Sequence, residues 1–234
     1  MSAGLGSLGA GPTSQSTAAQ PIVSVDTVPV RLDADGQLQI RLVRRPWEPF
    51  EGAWALPGVM LRGNERLTEA AIRALVGKAG VGPEQELALR QCGAFDDLAR
   101  DPRGPTVALA QLAILPPLTP AAASEGEVMD APAHRLPLLA FDHQRIVDAA
   151  LVRLSEILLA DAAASRSLLG AEFATTRANQ AYAALEAAGA PGASPSGMSR
   201  RLAATHHLIK TERTQTFGRG KPAPVWAWHL PKEN

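Results

Sequence analysis

Residues 55–81 read ALPGVMLRGNERLTEAAIRALVGKAGV, and their spacing decides how the chain is read. Leu67, Ala71, Leu75 and Ala79 recur at helical intervals, which predicts a helix over Thr68–Ala79 with one apolar face. Gly80 follows where a helix-ending glycine belongs. Ahead of the helix lies a loop holding Gly58, Gly63 and Glu65, entered through Trp54-Ala55-Leu56-Pro57-Gly58.

A catalytic loop and helix of this kind, the Nudix box, which this stretch resembles, needs glycine at position 59, glutamate at 65 and arginine at 73. It also needs glutamates at 74, 77 and 78 and glycine at 80. The reason is metal chemistry. Three carboxylates at those helical offsets share one face. They give hard oxygen ligands for Mg²⁺, which activates water against a diphosphate. This chain keeps Glu65, Arg73, Leu75, Gly80 and Val81, but has Val59, Ala74, Gly77 and Lys78 at the other positions. The metal face is therefore apolar, empty and positive, and Lys78 repels a divalent cation. Either hydrolysis persists on other carboxylates (Glu65, Glu69 or the Asp96–Asp97 pair), or the frame survives only as a scaffold for a pocket. The second is the expected case: no catalytic residue, no metal site, no Mg²⁺. Trp47 and the candidate ligand residues Arg44, Arg45, Phe50, Trp54, Arg62 and Glu65 lie in or close to this stretch. Aromatic faces stack a nucleobase and arginines hold a diphosphate.

Working outward, Val23–Val28 and Leu38–Val43 alternate apolar and polar residues around Asp33-Ala34-Asp35-Gly36, a hairpin signal. Leu87–Phe95 and Val107–Leu115 read as strands, with Arg100–Pro105 as an exposed loop between them. Residues 116–133 are Pro/Ala-rich and read equally as a short strand near Val128 or a surface loop. His143–Ala163 reads as one long helix. Its Val147, Leu151, Leu154 and Leu158 suit either a face packed on the core or a dimer seam. A domain junction is expected within Ser165–Glu172.

The chain has 234 residues, 46% of them hydrophobic, enough for one large domain or two small ones. The net charge of zero hides an asymmetry. Residues 1–172 carry 15 Lys+Arg against 20 Asp+Glu, and residues 173–234 carry 8 against 3. A basic end on an acidic body points to an anionic partner, nucleic acid first. Cys92 is the single cysteine, which excludes an internal disulfide and fits a reducing cytoplasm. No apolar run approaches the ~18–20 residues of a membrane span. The first twenty residues are Gly/Ser/Ala/Thr-rich and read as a disordered leader.

The basic end has the order of a small winged helix. Thr175 or Thr176 caps a helix through Ala188, ending at Gly189. Ser194 and Pro195 start a second helix as N-cap and N1. Met198, Leu202 and Thr205 form its inner face, while Ser196, Arg200 and His207 lie outside with Ser199 and Arg201 on the flanks. A strand from Leu208, the tip Phe217-Gly218-Arg219-Gly220-Lys221-Pro222, and a strand carrying Trp226, Trp228 and Leu230 complete a wing. Such a tip supplies backbone freedom and positive charge to a DNA backbone. The DNA candidates are Ser196, Ser199, Arg200, Arg201, His207, Arg219 and Lys221.

Taken in order, Val23–Asp26, Arg44-Arg45-Pro46, Glu48–Gly52, Trp54–Gly58, Gly93-Ala94-Phe95, Asp101–Gly104, Leu139–His143, Ser199–Leu202 and Gly218–Ala223 resemble the NrtR family of Nudix-related transcriptional regulators. The resemblance runs from about Val23 to Leu230. It implies an α/β Nudix-like sandwich, a mixed sheet between helices, over residues 21–164, and a winged helix-turn-helix over 165–234. It further implies a cytoplasmic homodimeric repressor, acting on NAD-metabolism or related genes. In such a repressor ADP-ribose or a related nucleotide releases double-stranded operator DNA. The alternative is a Nudix hydrolase acting on a nucleoside diphosphate derivative, and a third reading is an interaction module without nucleic acid.

Overall fold

The structure is a computed structural model describing residues 20–83, 85, 87–117, 124, 126–216 and 221–229. All of the expected leader except Gln20 lies outside the described residues, as does Arg219 in the wing tip. β1 (Ile22–Leu32) and β2 (Leu38–Arg44) form the expected hairpin, with Val30 opposite Ile40 and Leu32 opposite Leu38. Asp33 builds the turn by accepting the backbone N–H groups of Asp35 and Gln37 at 3.0 and 2.8 Å. Gly36 completes it at φ 80°, a left-handed conformation that glycine adopts at little cost.

Six further elements follow before the first long C-terminal helix: β3 (Trp54–Ala55), β4 (Gly58–Met60), α1 (Leu67–Ala79), β5 (Ala88–Phe95), β6 (Thr106–Ile114) and β7 (Val128–Pro132). The sheet order is β3-β2-β1-β6-β5, with β4 also on β1 and β7 on β2. β1 and β6 run parallel and the other named pairs antiparallel, so the sheet is mixed. On β6, Ala108, Ala110, Leu112 and Ile114 enter one core and Ala113 the other, the pattern of a strand covered on both faces. α1 covers one face through Ala70, Ala71, Leu75 and Ala79. α2 (His143–Ile157) covers the other through Ile146, Val147, Ala150, Leu151 and Leu154. The ambiguous Pro/Ala-rich segment contributes β7, whose Asp130 pairs with both Arg31 and Arg41 at 2.9 Å.

The single helix expected over His143–Ala163 is two. After Ile157 the chain turns out of the helix at Leu158, passes through Leu159 at φ 72°, and restarts as α3 (Ala162–Leu169). Asp161 caps α3 by accepting from the Ala164 N–H at 3.0 Å. Val147, Leu151, Leu154 and Leu158 are all buried in the core, so this face packs on the sheet, the first of its two expected roles. The boundary expected at 164/165 falls inside α3, which packs on both sides of it.

Beyond α3 come β8 (Glu172–Ala174), α4 (Thr175–Ala187), α5 (Met198–Ala204), β9 (Leu208–Gln215) and β10 (Ala223–Trp228), with an antiparallel sheet in the order β8-β10-β9. Thr175 does not cap α4. Its Oγ1 accepts from the Trp226 indole N–H at 2.9 Å and donates to the Pro224 carbonyl. Nor does Ser194 start α5, which begins after Gly197 at φ 68°. Tyr182, Leu185, Leu202 and Trp226 join the same buried cluster as α2 and the sheet. Each large apolar side chain so buried contributes roughly 1.5–3 kcal/mol. Among the described residues no helix is long and apolar enough to cross a membrane.

Candidate functional site

The loop and helix of residues 55–81 form one wall of a cavity of about 370 Å³. Two features hold this wall in shape. Glu65 clasps Arg73 through two charge-assisted bonds of 2.7 Å, and Arg73 donates onward to the Met60 carbonyl at 2.9 Å. Arg73 holds the Glu65 carboxyl down at about 2. Gly58 lies against Asp26 so closely that a Cβ there would come within 2.1 Å of its Oδ1, so a side chain at this position would displace the Asp26 carboxylate.

Where helical glutamates would sit, Ala74 is buried, Gly77 has no side chain and Lys78 reaches into the cavity. The Lys78 Nζ donates to the Gly58 carbonyl at 2.6 Å. These residues do not fit a magnesium ion: the carboxylate oxygens are missing and a cation already sits on the carbonyl oxygen.

The opposite walls are cationic. Arg44, Arg45, Arg100 and Arg103 line the cavity there, facing Lys78 of the first wall, together with Asp26, Glu48 and Asp101. Arg44 donates to the Gly52 carbonyl and pairs with Glu127 at 2.9 Å. Arg45 donates to the Pro49 carbonyl and stacks 4.6 Å from the Phe141 ring centroid, with Arg103 at 5.8 Å from the same ring. Burial, with Arg103 nearby, lowers the Arg45 pKa, so an anion entering here would relieve both effects. Trp47 is 66% exposed at the rim. Deeper, Arg100 bridges Asp26 at 3.2 Å and Asp142 at 2.9 Å, and the His143 Nδ1 accepts the Leu56 N–H at 2.9 Å.

In the C-terminal unit, Ser196, Ser199, Arg200, Lys210 and Lys221 are exposed. Two candidates turn inward. Arg201 lies 3.9 Å from the Tyr182 ring centroid and donates to the Ser194 carbonyl. His207 is buried and stacks on Trp228.

No family model matches the chain. It is 32% identical over 130 residues to an ADP-ribose pyrophosphatase of Methanocaldococcus jannaschii, covering 54% of this chain and 71% of that protein. It is 35% identical over 97 residues to the ADPR responsive transcriptional repressor NtrR of Acinetobacter baylyi, covering 41% of this chain and 37% of the repressor. The structure of Shewanella oneidensis NrtR complexed with a 27mer DNA is 27% identical with a TM-score of 0.66, covering 88% of this chain and 93% of NrtR. That coverage spans the Nudix-like sheet and the C-terminal unit together. Across both units the chain is similar to the NrtR family of Nudix-related regulators.

Within this NrtR frame the cavity brings together Arg44 and Arg45 of the expected ligand set. Phe50 stands just outside it, edge-on to Phe141 at 4.8 Å. Trp54 packs toward the core, Arg62 is exposed away from the cavity, and Glu65 is committed to Arg73. Lys78, Arg103 and Phe141 line the cavity without having been expected as ligand residues. Arg100 and Asp101, read as exposed loop, are buried because Arg100 finds partners 74 and 42 positions away. The only sequence signal for them is the Arg-x-x-Arg of Arg100-Asp101-Pro102-Arg103.

Proposed function

We propose that the chain is a ligand-responsive transcriptional regulator, a repressor of NAD-metabolism or related genes. Its cavity holds ADP-ribose or a related nucleotide without cleaving it. The observation that carries this reading is the intact Glu65–Arg73 clasp around a ligand face reduced to Ala74, Gly77 and Lys78. The clasp preserves the shape of a diphosphate site, and the substitutions remove its hydrolytic metal. Arg44, Arg45 and Arg103 supply guanidinium groups for the diphosphate, and Trp47 and Phe141 supply rings for the base.

The unit α3-β8-α4-α5-β9-β10 reads as a winged helix. α5 presents Ser199 and Arg200, and the β9–β10 hairpin presents Lys210 and Lys221, to operator DNA. The protein acts in the cytoplasm as a homodimer, and the nucleotide favours the arrangement that does not fit the operator. The differential affinity sets the size of the response. Gel-shift titration of the full chain on DNA upstream of its neighbouring genes tests this. ADP-ribose is expected to release the DNA; a complex that survives saturating ADP-ribose sinks the response.

The match to an ADP-ribose pyrophosphatase favours one second reading, hydrolysis of the same ligand. Turnover of ADP-ribose with Mg²⁺ separates the two, and the regulator reading expects no cleavage above background.

A further inference from the structure

Lys78 sits on α1 where the frame of a hydrolytic site places its last metal-binding carboxylate. Its side chain is not turned away to solvent. It reaches into the cavity, and its Nζ sits 2.6 Å from the Gly58 carbonyl oxygen. A carbonyl oxygen flanked by helix carboxylates is a hard-oxygen setting for a divalent cation. Here the carbonyl remains, the carboxylates at 74 and 77 are gone, and an ammonium occupies the place of the ion.

The local backbone fixes that ammonium from two directions. α1 is anchored below by Leu75 and Ala79 in the core. Gly58 is pinned above by pairing of β4 with β1, Asp26 opposite Gly58, with the Asp26 carboxylate filling the space a Cβ would take. Arg44, Arg45 and Arg103 face the same space, so the cavity gathers cations around a point where charge of the opposite sign is expected.

We infer that Lys78 is a built-in replacement for the divalent cation, supplying the positive charge that a diphosphate meets in this cavity. The inference rests on the proposed nucleotide-binding function and adds how the ligand is held. Two consequences follow from the chemistry. Binding does not depend on Mg²⁺, because the charge is covalently attached. The bound diphosphate is not hydrolysed, because an ammonium has no exchangeable water to activate, unlike a hydrated metal ion.

The test measures ADP-ribose affinity of the full chain by calorimetry, once in EDTA and once in millimolar Mg²⁺. Wild-type protein is expected to bind equally in both. Lys78→Met, which keeps the apolar stem, is expected to bind about 10- to 100-fold more weakly, the range for one charge-assisted contact. Lys78→Glu is expected to bind weakly in EDTA and to recover in part with Mg²⁺, since it restores an oxygen ligand. Thermal melting of each variant establishes that it folds. Wild-type affinity that rises tenfold or more with Mg²⁺ overturns the inference and leaves the binding function standing. So does a folded Lys78→Met that binds like wild type. Wild-type protein that binds no ADP-ribose in either buffer overturns the proposed function itself, and the inference with it.

Discussion

His143 shows how a single side chain couples the pocket wall to the stability of the whole sheet. Its Nδ1 accepts the Leu56 N–H, so the ring proton sits on Nε2, which faces the Asp26 carboxylate 4.0 Å away. Burial lowers its pKa below the ordinary 6.5, and the opposing pull of Asp26 and Asp142 does not overcome it. The folded protein therefore holds this ring neutral where the unfolded chain would protonate it. The stabilising contribution is full above pH ~6.5 and is lost as pH falls from there towards the depressed folded value, at up to about 1.4 kcal/mol per pH unit. Urea unfolding between pH 7.5 and 5.5 should show this slope in wild type and a flatter one in His143→Gln; equal slopes would assign the effect to another group. Glu65 behaves in the opposite range. Arg73 holds its carboxyl at about 2 against an ordinary 4.5, so its contribution is present above 4.5 and lost as pH falls towards 2. Glu65→Gln should therefore lower the melting temperature and, by loosening the wall that the clasp shapes, weaken ADP-ribose binding only together with that loss of stability. A large loss of affinity at unchanged stability would return Glu65 to the ligand set that the sequence first suggested.

At the scale of elements, α5 separates residues that a helical wheel groups together. Arg200 is exposed, whereas its neighbour Arg201 is stacked on Tyr182 and tied to the Ser194 carbonyl. Arg200→Ala should weaken DNA binding and reduce the slope of log affinity against log salt by about one, as expected for one lost phosphate contact. Arg201→Ala should instead lower thermal stability, by roughly 0.5–2 kcal/mol for a partly desolvated cation over a ring. Gel shifts over a salt series and melting curves distinguish the two, and an unchanged salt slope for Arg200→Ala would place α5 away from the DNA backbone. Legibility varied in the same way. The hairpin, α1 and the paired strands could be read from periodicity, because each element's pattern is contained within it. The break between α2 and α3 could not, because apolar spacing continues through Leu158 while the left-handed residue is a leucine, which composition does not flag. Ser194-Pro195 carries a genuine helix-start signal, yet α5 begins only after Gly197 takes a positive φ. The buried Arg100 bridge was invisible for another reason: its carboxylates come from β1 and from the residue before α2.

Across the whole molecule, the cavity and the C-terminal unit meet on β1. Its first half carries Ser24 and Asp26 into the cavity, and its last residue offers the Leu32 carbonyl to Arg177 of α4 at 2.7 Å. Arg177 also donates to the Asp33 carbonyl, and Gln180, one helical turn on, packs against Gly36. The strand spans eleven residues, on the order of 35 Å, so one rigid element touches both the cavity and the C-terminal unit. The shared core adds to this: the Tyr182 hydroxyl donates to the Leu158 carbonyl at 2.7 Å, across the position where a domain boundary was expected. Such an arrangement should unfold as one unit. The tryptophans make this measurable, because Trp47 and Trp54 report on the Nudix-like half and Trp226 and Trp228 on the other. In two variants that keep one pair each, fluorescence should give coincident urea transitions. Arg177→Met retains the apolar stem but leaves the Leu32 and Asp33 carbonyls without their charged donor, a loss of roughly 1–3 kcal/mol. In that background the two transitions should separate, with the C-terminal half unfolding first, and the factor by which ADP-ribose weakens DNA binding should fall towards one. Coincident transitions with an unchanged ligand response in Arg177→Met would show that the coupling runs through the shared core and not through this guanidinium.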